Sequence, residues 1–153
     1  MRLSIRNRLA ATVQAVTTGP TMTTVVARLA GGQRVTAAIT SDAADDLDLQ
    51  RGQAVEVLIK STEVSVALDD VGRMSIRNLF PGIVAAVDHG EVMTTVKIEI
   101  AGDDLLTAAI TRESAEELGL QPGVAVTAMI KSTDVAVGVS APTDGAVNLG
   151  AGA

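Results

Sequence analysis

The sequence repeats itself. An ungapped shift of 71 positions lays residues 2–68 on residues 73–139, with roughly half the positions identical. A match without gaps means one structural unit built twice. Of the 153 residues, 1–70 form the first domain and 71–141 the second. Residues 142–153 lie outside the repeat, are rich in Gly and Ala, and read as a disordered tail. Each copy opens on one tetrapeptide, Ser4-Ile5-Arg6-Asn7 and Ser75-Ile76-Arg77-Asn78. Each closes on another, Ile59-Lys60-Ser61-Thr62 and Ile130-Lys131-Ser132-Thr133.

Between these tetrapeptides the pattern is mostly strand. Residues 3–17 are rich in β-branched and apolar types and end at the turn Thr18-Gly19-Pro20. Met22–Leu29 alternates, stops at Gly31-Gly32 and returns through Arg34–Ile39, which is a hairpin signal. A short helix is expected from Ser41 to about Leu49. In the second copy Thr111 is placed to cap it, and Gly119 to end it in the left-handed conformation. Five short strands and one small helix per copy predict a mainly β chain of two tandem OB-like five-stranded barrels. The linker Asp69-Asp70-Val71-Gly72 is short, so the barrels should lie side by side.

Composition narrows the function. Hydrophobic residues make up 47%, yet Phe80 is the only aromatic. Small barrels with aliphatic cores gain from oligomerisation. The absence of Cys excludes disulfides and thiolate metal sites, and His89 is the only His. The net charge of −6 is uneven: 7 Lys/Arg against 8 Asp/Glu in residues 1–70, and 5 against 9 in residues 71–141. An acidic chain with one aromatic lacks both the footprint and the stacking platforms of a nucleic-acid binder. No signal peptide or membrane-length apolar run is read, so no membrane partner is expected and a cytoplasmic location is the default.

The tetrapeptides carry the candidate chemistry. A tetrahedral dianion needs hydrogen-bond donors and a fixed positive charge. Lys60 and Lys131 supply the charge, and Ser4, Ser61, Ser75 and Ser132 supply rotatable hydroxyl donors. Backbone N–H groups through Ser4–Asn7 and Ser75–Asn78 can form a concave nest. A donor-only pocket penalises phosphate, whose remaining proton at neutral pH would lack an acceptor. A plainer reading stands beside this one. Lys-Ser-Thr at a strand end is most often a solvated edge, and duplication copies bland residues too. Arg6 and Arg77 are more often surface cations, Asn7 and Asn78 turn residues. Met22 and Met93 are more often core or interface filler than ligands, and His89 an exposed turn residue. No nucleophile–base pair or paired-carboxylate site is present, so no enzyme is expected.

Taken together, Ser-x-Arg-Asn near the start, Ala-Gly at the middle, Leu-x-Leu-x-x-Gly after the helix and Ile-Lys-Ser-Thr-[Asp/Glu]-Val at the end resemble the molbindin (Mop-type, TOBE) molybdate-binding domain. Two in one chain resemble the di-Mop molbindins. The resemblance covers about residues 2–68 and 73–139. It implies binding of molybdate, or tungstate, for intracellular storage, and a trimer with oxyanion sites between subunits. It implies that Ser4, Ile5, Arg6, Asn7, Lys60 and Ser61, with Ser75, Ile76, Arg77, Asn78, Lys131 and Ser132, form the sites. Arg6 and Arg77 would contribute mainly backbone N–H groups, and no cation would be ligated directly. The alternative is a molybdate-sensing module acting on a protein partner. The chain has neither a helix-turn-helix nor a P-loop signature.

Overall fold

The computed structural model describes residues 2–140; the expected tail at 142–153 lies outside them. The first repeat forms β1 (Asn7–Thr18), β2 (Met22–Leu29), β3 (Arg34–Thr40), α1 (Ser41–Asp46), β4 (Ala54–Ile59) and β5 (Ser65–Ala67). The second forms β6 (Asn78–His89), β7 (Met93–Ile100), β8 (Leu105–Thr111), α2 (Arg112–Glu117), β9 (Ala125–Ile130) and β10 (Val135–Gly138). Single 3-10 turns, Ser61–Glu63 and Ser132–Asp134, join the last two strands of each repeat.

Period-two patterning explains the inner faces. Leu9, Ala11 and Val13 of β1 point inward with Val25, Ala27 and Leu29 of β2 and Val55, Val57 and Ile59 of β4. Phe80 takes the position of Leu9 in the second core and is fully buried. A bulge between Val13 and Ala15, repeated between Val84 and Ala86, shifts the register and bends each long first strand. The strand begins at Asn7 rather than at residue 3, because its partner β4 ends opposite Asn7, at Ile59.

Both helices are capped, the second at the expected Thr111. The Thr40 and Thr111 hydroxyls accept from the N–H groups of Ala43 and Ser114, each at 3.1 Å. The helices end at Asp46 and Glu117, shorter than the expected run to Leu49. Gly119 takes the left-handed position at φ +62, and Leu120 N–H then reaches back to Ala115 O at 3.1 Å. Asp48 holds the same conformation in the first repeat at φ +48, so a residue with a Cβ serves there. This bend, not a further helical turn, buries Leu49 and Leu120.

The sheets are not drawn one from each repeat. Their strand orders are β10-β4-β1-β2-β3 and β5-β9-β6-β7-β8. Each repeat therefore gives its last strand to the other repeat's sheet. Val135 pairs with Ile59, and Ser65 with Met129. The chain crosses between sheets at residues 60–64 and 131–134, not at the Asp69–Gly72 linker, which joins two strands of one sheet. The architecture is mainly β, two five-stranded curled sheets with one short helix each, and the exchange makes them interdependent.

The hairpin tips also meet. A Cβ on Gly31 would fall 2.2 Å from Ala101 O, and one on Gly102 2.4 Å from Gly31 N, so backbones touch where only glycine fits. Gln33 donates across this junction from Nε2 to Ala101 O at 2.8 Å. Asp104 holds the equivalent position in the second tip, and its Oδ2 is shielded from solvent without a hydrogen-bond partner among the described residues. Burial pushes the Asp104 carboxyl above its ordinary range, and the adjacent Asp103 adds to the rise. A raised folded-state value means stability present below the ordinary carboxylate range is lost as pH rises through the folded value. Asp104→Asn supplies a neutral amide with a donor. It should melt higher than wild type at pH 7, with the gap closing as pH falls towards 4. Thermal melts across that range check this; a constant gap would show that ionisation of Asp104 costs nothing.

Candidate functional site

Strand register brings the tetrapeptides together. Asn7 opposes Ile59, so Ser4-Ile5-Arg6 runs up to the edge that Lys60-Ser61 leaves. Asn78 opposes Ile130 in the same way. Val135 lies on the other side of Ile59, which brings Ser132–Asp134 of the second repeat to the same place. Both Ile-Lys-Ser-Thr segments are thus the crossover points of the strand exchange. Their recurrence thus has a structural cause, whatever chemistry they carry.

Lys60 and Lys131 are extended and immediately precede the 3-10 turns, whose Glu63 and Asp134 N–H groups bond back to the two lysine carbonyls at 3.0 and 2.9 Å. Both lysines are exposed. The ion pairs among the described residues are Arg8–Glu56 and Arg112–Glu116, so neither ammonium is neutralised by contact. Ser61 and Ser132 are half-buried beside them, while Ser4 and Ser75 are exposed. Ile5 and Ile76 are half-buried. The Arg6 guanidinium folds onto its own segment, with Nε donating to Ser4 O at 3.1 Å and an Nη to Leu3 O at 2.7 Å. Arg77 is exposed.

Asn7 and Asn78 are neither turn residues nor open donors. Each is 1% exposed and clamps an edge strand of the other sheet. Asn7 Nδ2 donates to Thr107 O at 2.8 Å and its Oδ1 accepts from Thr107 N–H at 2.7 Å. Asn78 does the same to Thr36, at 2.9 and 2.8 Å. A side-chain amide here replaces one residue of a neighbouring strand. These clamps fix the segments carrying Ser4–Arg6 and Ser75–Arg77 to the opposite repeat.

A cavity of about 220 Å³ opens at the first crossover. Ile5, Leu58, Lys60 and Glu63 of the first repeat line it with Thr133–Ala136 of the second. It exceeds the roughly 30 Å³ share of one water several-fold. Thr133 and Asp134 line this cavity only because the strands exchange, and no sequence pattern announces that; Glu63 follows Lys60 in its own repeat. Among the described residues no group of three His, Cys, Asp or Glu could hold a metal ion. Met22 and Met93 are exposed at the starts of β2 and β7, away from the core. His89 ends β6, and its Nδ1 lies 2.8 Å from the hydroxyl of buried Thr94. The equivalent Thr23 hydroxyl meets Ser41 instead, at 2.8 Å.

The TOBE domain model matches residues 3–66 and again 74–137. The chain is 41% identical over 136 residues to the molybdenum-pterin-binding protein MopA of Rhodobacter capsulatus, covering 88% of this chain and 51% of that protein. It is 36% identical over 140 residues to the molybdenum transport protein ModE of Herbaspirillum seropedicae, covering 91% and 52%. The chain spans about half the length of both. It also resembles a solved structure described as the cytoplasmic molybdate-binding protein ModG with molybdate bound, at 34% identity and a TM-score of 0.89, over 92% of this chain and 100% of the other. No helix among the described residues is long and apolar enough to cross a membrane. Two matches that together span most of both repeats settle its kinship: the chain belongs to the TOBE domain family and carries the domain twice.

Proposed function

We propose that this chain binds molybdate, with tungstate as an equivalent cargo, and stores it in the cytoplasm without catalysing a reaction on it. The observation that carries this reading is the meeting of Ser4–Arg6 with Lys60–Ser61, and of Ser75–Arg77 with Lys131–Ser132, in a chain so similar to a molybdate-bound structure. The lysines provide charge, and the serine hydroxyls and neighbouring backbone N–H groups provide donors. Ile5 and Ile76 wall the sites. Asn7 and Asn78 position them. The two copies of the domain are residues 1–70 and 71–141, and nucleic acid is not a partner.

The working form is a homotrimer. Met22, Ile83, Val92, Met93 and Leu105 stay exposed on a single chain, apolar surface that association would cover. Calorimetric titration of molybdate, tungstate, sulfate and phosphate, with mass measured by light scattering, tests the whole reading. Molybdate and tungstate should bind with comparable affinity and phosphate at least tenfold more weakly, to a particle of three chains. Equal phosphate affinity at pH 7 would show that Glu63 and Asp134, which also line the first cavity, accept phosphate's proton so that the pocket is not donor-only, and a monomer at micromolar concentration would remove the trimer.

A further inference from the structure

Two acidic residues from outside the repeated tetrapeptides line the Lys60 cavity. Glu63 comes from the 3-10 turn after Lys60, and Asp134 from the equivalent turn of the second repeat. One lysine and two acidic residues thus share the lining of this cavity. No ion pair joins them: neither acid comes within 4.0 Å of Lys60.

Resting on the molybdate reading, we infer that Asp134, carried into the first repeat's site by the strand exchange, and Glu63 beside it set the affinity of the Lys60 site by opposing the bound dianion. A store must release as well as hold. Two negative charges lining the cavity of a bound dianion lower its affinity without removing any donor. They also make binding tighten as salt screens them, against the loosening that screening of Lys60 brings. Because Asp134 belongs to the other repeat, the exchanged segment ties this site's affinity to the integrity of the whole chain.

The test is molybdate titration of the full-length chain at low and high ionic strength. It is run on wild type and on Lys131→Met, which isolates the Lys60 sites. Adding Asp134→Asn to either should tighten molybdate binding roughly three- to tenfold at low salt, as expected for one charge acting across a wet cavity. Glu63→Gln should act in the same direction. The gain should shrink at high salt, and Asp134→Glu, which keeps the charge, should restore the original affinity. A wild type that binds molybdate while Asp134→Asn leaves affinity unchanged or weaker overturns the inference alone. A wild type that takes up no molybdate overturns the functional reading and this inference with it.

Discussion

Asn7→Ala is expected to destabilise the chain by about 2–5 kcal/mol, and Asn78→Ala by a similar amount. Each removes two hydrogen bonds and strands a backbone N–H and C=O on an edge strand; a bond is worth about 1 kcal/mol, and an unsatisfied buried group costs about 1–3. The two clamps share no hydrogen-bond partner and grip different strands, so the losses should add to a large share of the 5–15 kcal/mol typical of a domain. The double variant should be largely unfolded at 37 °C or melt tens of degrees lower. Asn7→Asp is the sharper probe. It keeps the acceptor for Thr107 N–H but sets a carboxylate against Thr107 O, where the amide donated. It should lose as much as the alanine variant at neutral pH and recover partly in acid, where the protonated group can donate. Chemical denaturation measures all four. A double variant melting within a few degrees of wild type would mean that the exchange holds without its clamps.

The same clamps show where the sequence stops informing. Local features were legible: the Thr111 cap, the Gly119 helix end, the Gly31-Gly32 hairpin and the alternation of β2 and β7 all depend on neighbours within a few residues. Strand exchange does not. The segments after the two Ser-Thr turns are near copies, Glu63-Val64 and Asp134-Val135, and each can face either β4 or β9 with the same buried valine. Duplication makes self-pairing and cross-pairing degenerate in pattern, and only the geometry of the whole chain chooses. The site was half legible for the same reason. Lys60 and Ser61 announce a charge and a hydroxyl, but Asp134 joins Lys60 in the cavity lining only through the exchange. Asn7 is a turn-forming residue by type, and its role as a strand substitute depends on Thr107, 100 residues away.

Neutralising the two lysines should abolish most molybdate binding while leaving the fold intact. Both side chains are exposed and outside any ion pair among the described residues, so methionine at either position removes charge without emptying the core. A hydrogen bond to a charged group is worth about 1.5–3 kcal/mol. At tenfold per 1.4 kcal/mol, Lys60→Met should weaken its sites roughly 10- to 150-fold and spare those at Lys131, and Lys131→Met the reverse. Lys131→Met should cost more, because the second repeat carries 5 basic against 9 acidic residues and has little other positive charge to compensate. Raising the salt should narrow that difference, since distant acids are screened beyond about 10 Å at 0.1 M. Titration of both single variants and the double variant, with melts as the folding control, decides it. If the double variant melts normally and still binds with wild-type affinity and stoichiometry, Ile-Lys-Ser-Thr recurs solely because each repeat needs a crossover turn, and the oxyanion sites lie elsewhere on the chain.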